Sequence, residues 1–265
     1  MHLSKSSWFV ICLCPILCLI PVRVSAFTGS DSVQSVSTGT YLAGAAGATI
    51  ITITLFHYDQ QIYNGLYRWK EKNPAVKTIS PIITNGGNGM FSAGLFAGFA
   101  GYSFLAHDPK SFETAKIGME SFLFTGIVVQ VLKNTFSRER PSNATRNAGY
   151  WHGPFAYFKH RNMSIASFDS FPSGHTTTVF SAATTLADMY TEPWVSYTTY
   201  SLASLVAISR ITERTHWASD CFVGALLGHF GTKLVEHFNY CSTDICLFPT
   251  IDNHSYGALL TVNLP

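Results

Sequence analysis

The sequence predicts a helical fold of five to six helices once an export segment is set aside, and three observations carry that reading. Residues 41–56, 90–106 and 193–209 are each uncharged for about 16 residues or more, helical in length though short of the roughly 20 that a membrane span uses. Residues 57–72 place Tyr58, Ile62, Leu66 and Trp69 at helical spacing with polar residues between them. Charged residues make up 12% of the 265, against about 25% in an average soluble domain, and aromatics reach 14%. That charge deficit points toward a membrane. The length supports one good-sized core, and no second composition regime marks another domain.

Taken in order, the chain opens Met1-His2-Leu3-Ser4-Lys5, runs uncharged from Ser6 to Val22 and reaches Val24-Ser25-Ala26, a small-residue cleavage site. Residues 1–26 therefore read as a signal peptide. An uncleaved anchor is the alternative, since Arg23 interrupts the approach to the cut, but the run is short for a span of about 20 residues. Removal takes Lys5 and Arg23 and no acid, leaving fifteen basic against fifteen acidic residues, which disfavours nucleic acid as a partner. Cys221, Cys241 and Cys246 remain; Cys241 and Cys246 are close enough to close a small loop, and Cys221 reads as a buried thiol. No His/Cys cluster has zinc spacing, so no metal is assigned.

Residues 27–37, rich in Ser, read as a flexible leader, and 38–240 as the helical domain. A first helix covers 41–56 and an amphipathic one 57–72, ended by Asn73-Pro74; the Asn85-Gly86-Gly87-Asn88-Gly89 cluster is a loop. Met90 to Ala106 is Gly- and Phe-rich, with small residues suited to close helix contact. A helix from Phe112 to Lys133 carries Glu120, which implies a partner or the bundle interior. Residues 142–170 form the longest irregular stretch, a candidate binding segment for the non-phosphate part of a substrate or for a membrane surface, or else a solvated connector. Pro172 suits a first helical turn, opening a Thr- and Ser-crowded helix to Tyr190. Trp194 to Ser209 and Thr215 through Lys233 complete the helices; His229 and His237 there read as packed. In the 241–265 tail, residues 256–264 alternate weakly, as one strand would.

Three stretches carry chemistry. Ser209 to Asp220, SRITERTHWASD, sets His216 four residues before Asp220; on a helix the two share a face, so the carboxylate reaches one ring nitrogen and the other points outward. Lys133 is followed seven positions later by Arg140-Pro141, and Phe171-Pro172-Ser173-Gly174-His175 leads a run of threonines. Lys133, Arg140, Arg210, the Ser173 and Gly174 amides, His175, His216 and Asp220 together form what a tetrahedral oxyanion needs: forked guanidinium groups, an ammonium, amides at a helix start and two imidazoles to trade a proton.

The ordered trio K-x6-R-P, P-S-G-H and S-R-x5-H-x3-D, spanning Lys133 to Asp220, resembles the three-part signature of the type 2 phosphatidic acid phosphatase superfamily, which also holds bacterial acid phosphatases and vanadium haloperoxidases. The resemblance implies an all-α bundle with the active site between helices. It implies a metal-independent phosphatase in which His216 forms a phosphohistidine, Asp220 holds its tautomer and His175 exchanges protons with leaving group and water. Lys133, Arg140, Ser173, Gly174 and Arg210 would bind the phosphate oxygens.

The expected substrate is a phosphorylated lipid or a small phosphomonoester, and no cofactor is implied. The expected location is extracytoplasmic and membrane-associated. A soluble exported acid phosphatase is one alternative. A vanadate-dependent haloperoxidase is another, disfavoured by chain length.

Overall fold

Nothing between Phe56 and His57 interrupts helix propagation, so the two segments read separately from sequence form one helix, α1 (Thr38–Lys72). The computed structural model describes residues 38–154, 156–159, 164, 167–240, 245–252 and 255–262. The signal peptide, the leader and the pairing of Cys241 with Cys246 lie outside the described residues. Pro74 at a first helical position opens α2 (Pro74–Asn85), a helix the sequence reading missed by treating Asn73-Pro74 only as a stop. Asn88, its side chain accepting from the Met90 amide, starts α3 (Gly89–Ala106). Asp108 caps α4 (Pro109–Phe136), taking the Lys110 and Ser111 amides, and Ser137 in the left-handed region ends it.

A 3-10 turn (Pro141–Asn143) and the single-turn α5 (Ala156–Lys159) interrupt the irregular stretch. Then follow α6 (Gly174–Met189), α7 (Pro193–Thr212) and α8 (Ala218–Tyr240). Helices of twelve residues or more thus number seven among the described residues, against the five to six expected. Pro172 does not lie in the first turn of α6. It follows a cis peptide after Phe171 and precedes Ser173, the N-cap, because a hydroxyl that can accept an amide outcompetes proline for the boundary.

Helix α6 is central, packing on α8, α7 and α4, while α1 lies across α8 and α7, and α3 against α4. The contact of α6 with α8 is backbone-close. A Cβ on Gly224 would fall 2.7 Å from the Ser173 carbonyl oxygen, and one on Gly228 would run into that of Thr177. The threonines and serines of α6 are buried along this seam: Thr177 and Thr185 donate to carbonyls one turn back, and Ser181 bonds Thr232 of α8 at 2.8 Å. Beside it, Val129, Phe136, Phe171, Val223 and Leu227 form the core, with Phe56 and Trp151 against them. Part of the supposed binding segment therefore packs on the core: Trp151, partly buried, lies edge-on to Phe56 and Phe136.

Helices α3 and α4 are long and apolar enough to cross a membrane, and only 17% and 33% of their most apolar windows are buried, so the apolar residues face outward. Of the three runs read as uncharged, 90–106 is the one that qualifies. Threonine, serine and tyrosine dilute the other two, while the part of α4 beyond Glu120 is more apolar than its charged start indicated. Glu120 is exposed and accepts from Asn239 at 2.7 Å. The tail holds an antiparallel pair, β1 (Ile245–Asp252) with β2 (Ser255–Val262), where one strand was expected.

Candidate active site

The C-terminal ends of α4 and α7 meet the N-terminal ends of α6 and α8, and this junction brings the three motifs together. Lys133 lies in the last turn of α4, with its Cε 3.9 Å from where a Cβ on Gly174 would stand. The Arg210 carbonyl at the end of α7 accepts the Thr215 and His216 amides at 3.1 and 3.3 Å, with Arg214 in the left-handed region. That turn delivers His216 just before α8 begins, so His216 and Asp220 do not share a helical face.

The two residues are linked differently from the expectation. His216 Nδ1 donates to the Ser170 carbonyl oxygen at 2.6 Å, whereas Asp220 Oδ2 is 4.0 Å away. Asp220 in the first turn of α8 instead accepts the Trp217 amide at 3.0 Å, as the acidic residue of a capping box does, and the Ser170 hydroxyl at 2.6 Å. Ser170 is the intermediary: its carbonyl sets the Nδ1–H tautomer and its hydroxyl ties that carbonyl's residue to Asp220. The Nε2 lone pair is thereby left for chemistry. Burial, then Lys133, Arg210 and Arg140, hold His216 well below the usual imidazole range, so it is neutral.

His175 follows the N-cap of α6, under the Gly86-Gly87 turn; a Cβ on Gly87 would lie 2.8 Å from its own. Burial, then Arg210, Lys133 and Arg140, lower His175 to about 4. A dianionic ligand would cancel much of that positive field and return the proton affinity a general acid requires. The Ser173 amide donates to the Asp220 carbonyl at 3.1 Å, so it is not the free donor expected. Its hydroxyl accepts from Thr176 Oγ1 at 2.9 Å, leaving its own proton to donate. The Gly174 amide, in the first turn, has no intrahelical acceptor.

Lys133 Nζ donates to the Asp169 carbonyl at 2.6 Å and lies 3.3 Å from Asp169 Oδ2. Arg140 donates to the same Oδ2 at 2.9 Å. Arg210 donates to Thr84 Oγ1 of α2 at 2.9 Å, and its Nε is buried without a partner.

Beneath the site lies a buried ion network that sequence reasoning missed. Arg138, 1% exposed, donates to Asp220 Oδ1 at 2.5 Å, Ser219 Oγ at 2.8 Å and Asp59 Oδ2 at 2.7 Å. It also bonds the Ala148 carbonyl, and its guanidinium sits 4.9 to 5.3 Å from the ring centres of Trp151, Phe56 and Trp217. Burial pushes the Asp220 carboxyl up to about 6 against the pull of Arg138. The available signal was Arg138 itself, a charge inside the first motif. Asp59, 160 positions from Ser219, had none. Next to it Glu139 gathers the Thr145 and Tyr150 amides and the His152 ring, which fixes the chain on either side of Arg140.

The model of the PAP2 superfamily matches residues 117–241. A lipid A 1-phosphatase of Porphyromonas gingivalis is 47% identical over 95 residues, 35% of this chain and 20% of that protein, so the chain spans about a fifth of that relative. One of Rhizobium etli is 25% identical over 189 residues, 67% of this chain and 78% of the relative. Among solved structures, Aquifex aeolicus LpxE aligns with a TM-score of 0.51 at 21% identity, over 67% of this chain and 94% of that one. The first transmembrane PAP2-type phosphatidylglycerolphosphate phosphatase from Bacillus subtilis aligns with a TM-score of 0.52 at 20% identity, over 73% and 94%. Both likenesses are likenesses of fold. Residues 117–241, the stretch that matches the PAP2 superfamily model, hold all three motifs and the helices that present them.

Proposed function

We propose that the protein is a metal-independent phosphatase that removes phosphate from a membrane lipid through a phosphohistidine. The observation that carries this is His216: neutral, anchored through Nδ1, and within the field of Lys133, Arg140 and Arg210. Nε2 attacks phosphorus as the ester P–O bond breaks, and His175 gives its proton to the leaving oxygen. Water then attacks phosphorus as the P–N bond breaks, His175 takes the water's proton, and phosphate leaves with His216 neutral again. The three cations, the Ser173 hydroxyl and the Gly174 amide stabilise the equatorial oxygens.

A lipid substrate is supported by the outward apolar residues of α3 and α4, including Phe91, Phe104, Leu105, Leu123 and Ile127, which suit a bilayer. The curated relatives named lipid A 1-phosphatases support a glycolipid 1-phosphate as the first substrate to try. The export segment expected from residues 1–26 supports a site on the extracytoplasmic side of the membrane.

The test is phosphate release in detergent, with chelator, from lipid A 1-phosphate, phosphatidylglycerol phosphate, phosphatidic acid and a polyprenyl pyrophosphate, for wild type and His216→Ala. Release should resist chelator and vanish in the variant. Turnover that survives His216→Ala, or that chelator abolishes, refutes the mechanism.

A further inference from the structure

We infer that the Asp169 carboxylate is an internal competitor for the phosphate clamp, a substrate-displaced group that weakens binding of phosphate and speeds its departure. The inference rests on the proposed function in one respect, that Lys133 and Arg140 bind phosphate oxygens.

Asp169 Oδ2 is shared by the two cations, 3.3 Å from Lys133 Nζ and 2.9 Å from an Arg140 terminal nitrogen. Its Oδ1 lies 2.7 Å from Arg140 Nε, but at an angle that leaves both atoms without a hydrogen bond. A carboxylate bridging an ammonium and a guanidinium uses the contacts that two oxygens of a phosphate would use. The Asp220 carboxylate, by contrast, is taken up by Arg138 and Ser170.

The backbone and side chain of Asp169 have separate attachments. Its own carbonyl holds Lys133 Nζ at 2.6 Å, and the next residue is fixed by the Ser170 amide donating to the Arg138 carbonyl at 3.0 Å. Side-chain rotation alone can thus release Arg140 and the second contact of Lys133 while the main chain keeps holding Lys133. The side chain is 24% exposed, so rotation carries the carboxylate into solvent rather than into the core. Incoming phosphate takes over the cations, and the returning carboxylate helps displace it once hydrolysis is complete.

The experiment is calorimetric titration of inorganic phosphate into the full chain in detergent, for wild type, Asp169→Asn and Asp169→Ala, beside lipid phosphate release by each. Asp169→Asn keeps the shape and removes the charge, and Asp169→Ala removes both. Phosphate should bind both variants about tenfold more tightly or better, and product inhibition should deepen in step. Equal or weaker binding in both variants overturns the inference, because it makes Asp169 a group that orients the clamp. The two readings fail separately. Tighter binding without turnover in any form keeps the competition and drops the phosphatase; normal turnover with unchanged phosphate affinity does the reverse.

Discussion

Replacing Arg138 by Met should uncouple the floor of the site while leaving its rings packed. The methionine side chain fills the space bounded by Phe56, Trp151 and Trp217, so little volume is lost. What is lost is the donor to Asp59 and Asp220, both 0% exposed, and to the Ala148 carbonyl. Removing one partner of a buried pair costs about 3–5 kcal/mol, since the stranded charge stays buried. At about 2–4 °C per kcal/mol for a domain of this size, the thermal midpoint should fall by about 6–20 °C.

Asp220, already pushed up to about 6, would bind a proton at neutral pH without the guanidinium, and phosphate release should fall well below what unfolding explains. Adding Asp59→Asn removes one of the two stranded carboxylates and should return about 2 kcal/mol of stability, a coupling visible in a double-mutant cycle. Arg138→Lys should resemble the Met variant more than wild type, because one ammonium cannot fork to both carboxylates. The assay is thermal unfolding by circular dichroism in detergent beside lipid phosphate release. A change under about 0.5 kcal/mol with activity intact would refute the reasoning, since that is the size of an exposed substitution.

Thr84→Val keeps the shape but removes the oxygen that accepts from Arg210, and should lower kcat/KM by about fivefold, the worth of about 1 kcal/mol; a steady-state comparison that finds no change would free Arg210 from α2. In the proposed mechanism His216 must be neutral to attack, and its lowered pKa keeps that form as pH falls through the usual imidazole range, so the acid limb of kcat/KM should lie lower than an ordinary histidine would set it. Lys133→Met removes a cation that lowers this pKa, so the limb should move to higher pH on the same lipid substrate, whose own ionisation cancels in the comparison. Gly228→Ala should destabilise by about 1–3 kcal/mol because its Cβ meets the backbone of α6. Gly224→Ala should cost activity as well as stability, since it displaces Ser173, and equal activity per folded molecule would contradict that placement.

The sequence by itself determined what is local. Helix boundaries at Asn88, Asp108 and Ser173 depend on one side chain bonding an amide two or three residues on, and proline at a first helical position marks α4 and α7. Motif spacing determined which residues the chain can present together, because a lysine in a last turn, an N-cap serine and a histidine after a helix end are separated by fixed lengths of regular structure. Boundaries failed where propagation outweighed pattern, as at Phe56-His57, or where a proline that stops one helix also starts another, as at Pro74.

Only the tertiary structure decided who holds whom. His216 turned from Asp220 to the Ser170 carbonyl, and a backbone acceptor carries no residue signature. Asp59, Thr84 and Asp169 act across gaps of 79, 126 and 29 residues onto Arg138, Arg210 and Arg140. A buried charge selects its partner by desolvation, which depends on what the assembled bundle brings within about 3 Å. No periodicity along the chain encodes that distance.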